Sequence, residues 1–263
     1  MPVSDLAGVF ERCRAEGRAA LVGYLPAGYP DRDGARQAVT ALAQAGADII
    51  EVGVPYTDPL MDGPVIQDAA DAALRSGFRF ADLFGCVEAA RAAGAVPVVM
   101  SYWNPVLRYG PARFAADLAA AGGSGMITPD LIPEEAASWT DAALDQGVDP
   151  IFLVAPSSTD ARLASTTAAC RGFVYVASTM GVTGARASVG SGAKVLVERT
   201  RQVTDLPICV GLGVSTAKQA SEVAGFADGV IVGSALVAAL RDDHSRSGLQ
   251  TLTRELARGV RAA

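Results

Sequence analysis

The sequence predicts an α/β protein, a single-domain (β/α)8 TIM barrel with one extra N-terminal helix. Three observations predict it. Eight short apolar runs, most of them β-branched, alternate with Ala-rich amphipathic stretches along the 263 residues, which implies a parallel sheet covered on both faces. Glycine marks helix ends, whereas proline follows strand ends. No Gly/Ser-rich or Pro-rich linker divides the chain, so residues 1–263 read as one domain of a length typical for a closed barrel.

The elements follow in order. Val3 to Glu16 carries an apolar helix stripe (Leu6, Val9, Phe10, Cys13) suited to plugging the bottom of the barrel. The strands read as Ala20–Leu25, Ile49–Val52, Val96–Tyr102, Gly125–Thr128, Pro150–Val154, Phe173–Ala177, Ile208–Gly211 and Val230–Val232. Helical segments include Gly34–Ala45, Ala81–Ala93, Pro111–Ala121, Pro133–Gln146 and Ala217–Ala224. An open doubly wound sheet is the alternative, but eight equal βα units favour closure. The pairs Ala45-Gly46, Ala93-Gly94 and Ala121-Gly122 suit helix ends that need a left-handed residue. Pro26, Pro55, Pro105, Pro129 and Pro156 mark loops at the C-terminal face, where sites on this fold are built.

Composition excludes several functions. A net charge of −6 disfavours nucleic acid, whose phosphates need a basic stripe. It does not exclude one small phosphorylated molecule held by backbone N–H groups. No apolar run approaches the roughly 18–20 residues that span a bilayer, and the acidic N-terminal helix pattern is unlike a signal peptide. A cytoplasmic protein is expected. Cys13, Cys86, Cys170 and Cys209 form no CxxC pair and read as reduced, buried thiols.

Glu51 ends an otherwise apolar strand, Ile49-Ile50-Glu51-Val52-Gly53. A carboxylate among Ile and Val is costly unless it is solvated, paired or used. Burial there would raise its pKa toward the range useful for proton transfer, although a strand-end Glu paired to an Arg is the plainer alternative. The loop Pro55-Tyr56-Thr57-Asp58-Pro59-Leu60-Met61-Asp62-Gly63-Pro64 is held by its prolines. Taken singly, Asp58 and Asp62 divide evenly between turn chemistry and function.

The run from Ile50 through Glu51 and Asp62 to Gln67 resembles the signature of the tryptophan synthase α subunit family. The resemblance continues in Pro26-Ala27-Gly28-Tyr29-Pro30, Ser101-Tyr102-Trp103-Asn104-Pro105, Asp130 to Glu135, Tyr175 to Ser178, Gly181 to Gly184, Val210 to Ser215 and Val232-Gly233-Ser234. These blocks span nearly the whole chain. The resemblance implies retro-aldol cleavage of indole-3-glycerol phosphate to indole and glyceraldehyde 3-phosphate. It makes Glu51 the general acid–base, makes Asp62 the holder of the indole N–H, and gives Tyr175 a place in the active site. A buried aromatic in the sixth strand is the plainer reading of Tyr175.

The residue inventory fits such chemistry independently. Aldolases commonly use a Schiff-base lysine or a metal as electron sink. The lysines here are Lys194 and Lys218, both within predicted helices, and the single histidine, His244, sits in a charged run. No histidine cluster exists for zinc. Indole protonated at C3 is its own sink and needs only acids and bases. Gly211-Leu212-Gly213 after the seventh strand and Gly233-Ser234 after the eighth suit a phosphate, through close backbone approach and a helix N-terminus. Ordinary strand-to-helix turns are the alternative, and Gly184 joins them by resemblance. Tyr24, Met100, Ile127, Leu153 and Leu212 are candidates for an apolar wall against the indole, and equally for plain barrel core.

Residues 178–192, rich in Gly, Ser and Thr, suit a closing loop over the site. The resemblance brings Thr183 of that loop toward Asp62, although the chain departs from many relatives around Ala187 to Gly192. It also implies an α2β2 complex whose β subunit carries pyridoxal phosphate, with no cofactor in this chain, and it turns Asp58, Asn104 and Pro133 toward that partner. A rival barrel of the same pathway, an indole-glycerol-phosphate synthase, would want a strand-end lysine. A silent regulatory subunit would have lost Glu51 or Asp62.

Overall fold

The computed structural model describes residues 5–177, 191–211, 213–243 and 245–262. Eight parallel strands close into a barrel in chain order: β1 (Ala20–Pro26), β2 (Ile49–Gly53), β3 (Val96–Met100), β4 (Gly125–Thr128), β5 (Asp149–Val154), β6 (Val174–Ala177), β7 (Ile208–Gly211) and β8 (Gly229–Val232). Around them lie α2 (Arg32–Gln44), α3 (Pro64–Arg75), α4 (Phe80–Ala92), α5 (Trp103–Tyr109), α6 (Pro111–Ala120), α7 (Ala137–Asp145), α8 (Asp160–Ala169), α9 (Ser191–Arg201), α10 (Ala217–Ala224), α11 (Ser234–Asp242) and α12 (Ser247–Gly259). An N-terminal helix, α1 (Asp5–Ala15), precedes the first strand. The expected barrel and its extra helix are both present.

Local chemistry sets these boundaries. Asp31 caps α2 by accepting from the Gly34 N–H at 2.8 Å, and Thr159 caps α8 through the Arg162 N–H, each satisfying a donor that a helix start leaves open. Gly46, Gly94 and Gly122 all have positive φ, as the Ala-Gly pairs imply. The third strand stops at Met100 rather than Tyr102, because Tyr102 is already the N-cap of α5 and Asp130 accepts from the Trp103 N–H at 2.8 Å. The segment expected as one helix from Pro133 is a 3-10 turn (Pro133–Glu135) followed by α7.

Strand side chains alternate between two cores. The outward-facing residues, among them Leu21, Leu25, Ile50, Val52, Val99 and Val210, pack under the helices. The inward-facing set, including Val22, Ile49, Val98, Ile127, Ile151, Tyr175, Cys209 and Ile231, fills the barrel. Leu6, Val9, Phe10 and Cys13 of α1 belong to that inner cluster, and Phe10 meets Phe173 edge-on at 5.9 Å between ring centres. Thus α1 closes the bottom of the barrel and leaves the opposite end for chemistry. All four cysteines are free and buried.

The bottom is also held by charge. Arg18 donates to both carboxylate oxygens of Asp48 at 2.8 Å, and the Leu21 N–H donates to the same carboxylate at 3.0 Å. Both side chains are almost wholly buried, so each meets the other's need for a partner away from water.

Candidate active site at the C-terminal end of the barrel

Glu51 lies on β2, in register with Tyr24 of β1 and Val98 of β3. The alternation that turns Ile50 and Val52 toward the helices turns Glu51 into the barrel, where it is 1% exposed. Burial, and secondarily the charge of Asp62, pushes its carboxyl up to about 8. Its Oε2 has no hydrogen-bond partner among the described residues. A buried carboxyl in this condition is held protonated at neutral pH, because the ionised form would lose its hydration with no donor at Oε2 to replace it.

Asp62 sits in the loop between β2 and α3, half-buried. Its carboxyl is also raised by burial, but the Tyr102 hydroxyl, donating to Oδ1 at 3.1 Å, works the other way. The two carboxyls therefore have unlike environments: one is buried with an oxygen that lacks a partner among the described residues, the other is bonded and nearer to water. Such separation lets neighbouring acids hold different protonation states.

Three tyrosines complete the compartment. Tyr24 is raised well above its ordinary pKa by burial and by the charges of Asp62 and Glu51. Tyr175 is raised by burial first and then by Glu51. Both phenols are thus neutral groups facing the acids. Their space depends on glycine: a side chain on Gly53 would collide with the Tyr24 ring and hydroxyl, and one on Gly211 with the Tyr175 hydroxyl. Tyr102, at the mouth, is raised well above its ordinary pKa by burial first and then by Asp62.

The far wall is built by the last two strands. Gly233 is the N-cap of α11 and provides no side-chain cap, so an anion can approach the helix's opening N–H groups. Ser234 is the first residue of that helix. A Cβ on Gly233 would lie 3.5 Å from the Tyr24 ring, so the start of α11 lies close to the tyrosine that pairs in register with Glu51. Gly213 adopts a positive φ of 67° and shapes the loop after β7. Met100 and Leu153 are half-buried at the inner rim, while Ile127 is fully buried deeper in the barrel. Thr183, Gly184 and Leu212 lie outside the described residues, as do His244 and nearly all of the 178–192 loop.

Asp58 and Asn104 are exposed at this end, and Pro133 opens the 3-10 turn in the loop after β4. Lys194 and Lys218 lie within α9 and α10 rather than at strand ends. Among the described residues no three His, Cys, Asp or Glu side chains gather as a metal site, and no helix is long and apolar enough to cross a membrane.

Sequence reasoning missed Tyr102 and Tyr56 as parts of the site. The signal for Tyr102 was available, since Met100 faces inward and a period of two puts residue 102 on the same side. Tyr56 carried no comparable signal, because loop residues have no periodicity.

Comparison with known proteins agrees with the geometry. A family model described as tryptophan synthase alpha chain matches residues 10–261. A tryptophan synthase alpha chain of Mycobacterium avium (strain 104) is 60% identical over 258 residues, covering 98% of this chain and 95% of the relative. One from Nocardia farcinica is 60% identical over 260 residues, covering 99% and 97%. A solved Mycobacterium tuberculosis tryptophan synthase chain superposes with a TM-score of 0.95 at 59% identity, covering 99% of this chain and all of that one. With an acid-lined barrel mouth and matches along nearly its full length, the chain belongs to the tryptophan synthase alpha chain family and is a lyase of tryptophan biosynthesis.

Proposed function

We propose that the chain cleaves indole-3-glycerol phosphate by a metal-free retro-aldol reaction, with Glu51 moving the protons. The observation that carries this reading is the Glu51 carboxyl, fully buried with an unpartnered oxygen and a pKa near 8. In the neutral resting form it gives its proton to indole C3. The ring becomes a cation, and the bond from C3 to the glyceryl carbon breaks with its electron pair returning to the ring. The glyceryl hydroxyl then gives its proton to the Glu51 carboxylate as the carbonyl of glyceraldehyde 3-phosphate forms. Glu51 ends the cycle protonated, and indole is released.

Asp62, ionised, accepts the indole N–H and stabilises the ring cation by charge, which a low-dielectric pocket strengthens. Tyr175 and Tyr24 flank the ring with Met100, Ile127 and Leu212. Gly213, Gly233 and Ser234 receive the phosphate together with Gly184, and Thr183 approaches Asp62, as the family resemblance implies.

The chain acts as one domain in the cytoplasm and passes indole to a β subunit in an α2β2 complex. Three large apolar side chains support a docking face at this end: Leu60, Leu107 and Ile132 are 72%, 53% and 46% exposed. Leu60 lies in the loop after β2, Leu107 on α5 after β3, and Ile132 in the loop after β4, in the same consecutive βα connections as Asp58, Asn104 and Pro133. Exposed apolar residues gathered at one end are a feature of interaction sites. Pyridoxal phosphate belongs to that partner, since neither lysine of this chain is placed to hold it.

Indole release from indole-3-glycerol phosphate, with and without β subunit, tests the reading. Glu51→Gln keeps the shape and removes the transferable proton, so turnover is expected to fall by about two to four orders of magnitude. A near-normal rate for this variant would overturn the mechanism.

A further inference from the structure

The mouth of the site carries a connected chain of groups that runs outward from Asp62 and that, beyond Asp62, the reaction itself does not use. The Tyr102 hydroxyl donates to Asp62 Oδ1 at 3.1 Å and accepts from the Met61 N–H at 3.1 Å. It therefore fixes both the side chain and the backbone of the loop that holds Asp62. The Tyr102 ring packs against Tyr56, with ring centres 5.5 Å apart. The Tyr56 hydroxyl accepts from Asn104 Nδ2 at 3.0 Å, and Asn104 is exposed on α5. The start of α5 is fixed in turn by Asp130, which accepts from the Trp103 N–H at 2.8 Å. Asp62, Tyr102, Tyr56 and Asn104 thus form one contiguous path from the acid site to the protein surface.

From this arrangement we infer that Tyr102 and Tyr56 are positioning residues. Tyr102 aims the Asp62 carboxylate, and the Tyr56–Asn104 bond holds Tyr102 in the place from which it does so. The inference rests on the reading that Asp62 acts as a carboxylate on the substrate. It adds that the aim of that carboxylate is set from α5, so that a partner engaging Asn104 would loosen or tighten it. A hydroxyl bonded to a charged oxygen stabilises the charged form, and a carboxylate out of line with a developing cation loses much of its effect. Among the described residues, the titratable groups facing Asp62 are Glu51 on β2, Tyr24 on β1, Tyr175 on β6 and Tyr102 itself.

The test uses the full chain, alone and with β subunit, and indole-3-glycerol phosphate as substrate. Tyr102→Phe keeps the ring and removes the donor. Losing one hydrogen bond to a charged group predicts about a tenfold fall in kcat with KM nearly unchanged. The acidic limb of the rate profile should also move to higher pH, because Asp62 loses the donor that favours its ionised form. Tyr56→Phe breaks only the link to Asn104 and predicts a smaller change of the same kind. In the double variant the Tyr56 change should add nothing, since its route to Asp62 is already cut. An unmoved acidic limb in Tyr102→Phe, or effects of the two changes that multiply, would overturn the inference. Asp62→Asn separates the two claims. If it keeps the full rate, the role of Asp62 itself is wrong. If it is inactive while Tyr102→Phe behaves as wild type, only the positioning is wrong.

Discussion

The hydroxyl and ring of Tyr24 occupy the space that a side chain on Gly53 would need, so the strand carrying Glu51 ends in a residue without a Cβ. Glu51 and Tyr24 are register partners on adjacent strands, and Gly53 is two residues beyond Glu51 on the same inward face. The glycine thus makes room for the ring that lines the site. Gly53→Ala would force Tyr24 aside, and overpacking of this kind costs about 1–3 kcal/mol. The expected result is a lowered melting temperature together with a raised KM, because the displaced ring also borders Gly233. A variant with unchanged KM would show that Tyr24 does not line the substrate cavity.

Glu51 is a liability for the fold. Its carboxyl titrates near 4.5 when solvated and near 8 in the folded chain. The folded state therefore holds the proton more tightly, and the stability this provides is fully present below pH 4.5 and lost as pH rises to about 8. Glu51→Gln has no such loss. Its stability relative to wild type should grow across that window by on the order of 1 kcal/mol per pH unit. Chemical denaturation at pH 5, 6.5 and 8 checks this, and a pH-independent difference between the two proteins would contradict the protonated resting state.

Most of the barrel was legible because its signals are periodic. Runs of Ile and Val at strand spacing, the stripe Leu6, Val9, Phe10 and Cys13, and Gly46, Gly94 and Gly122 at helix ends all act through local physics. The place of Glu51 on the second strand followed from the same pattern, although it is the central residue of β2 rather than its end. The Asp62 loop was less legible, because its division into a half-buried, hydrogen-bonded Asp62 and an exposed Asp58 depends on a side chain 40 positions away, the Tyr102 hydroxyl. Asp130 was invisible as the anchor of α5 for the same reason: it acts on a backbone N–H 27 residues away. Short-range patterns reveal the scaffold, whereas contacts between loops become visible only once the barrel gathers them.

The rate should depend on pH as a bell. In the proposed mechanism the active form has Asp62 ionised and Glu51 protonated. Activity is expected to rise as pH passes the Asp62 pKa, which lies above its ordinary value of 3.8, and to fall as pH passes about 8. Because the Asp62 charge helps to raise Glu51, Asp62→Asn should remove the acidic limb and shift the alkaline limb of its residual activity to lower pH. The profile of kcat/KM reports these free-enzyme groups. An alkaline limb unmoved by Asp62→Asn would mean that the two carboxyls do not interact.

The Arg18–Asp48 pair lies at the opposite end of the barrel from Glu51, and its loss should separate stability from catalysis. Both side chains are almost wholly buried, and Asp48 also accepts the Leu21 N–H at the start of β1. Arg18→Met preserves bulk and leaves the Asp48 carboxylate with the backbone donor and the more distant Arg12, at 3.6 Å. Breaking a buried pair from one side costs about 3–5 kcal/mol, and Arg12, itself half exposed, offsets only the smaller part of it. The expected outcome is a large fall in melting temperature, with kcat and KM close to wild type at temperatures where the variant remains folded. Removing both charges, in Arg18→Met with Asp48→Asn, should recover much of the loss, because no uncompensated ion stays buried. If the double variant is no more stable than Arg18→Met, packing of the arginine stem against the barrel floor, rather than charge, holds this end together.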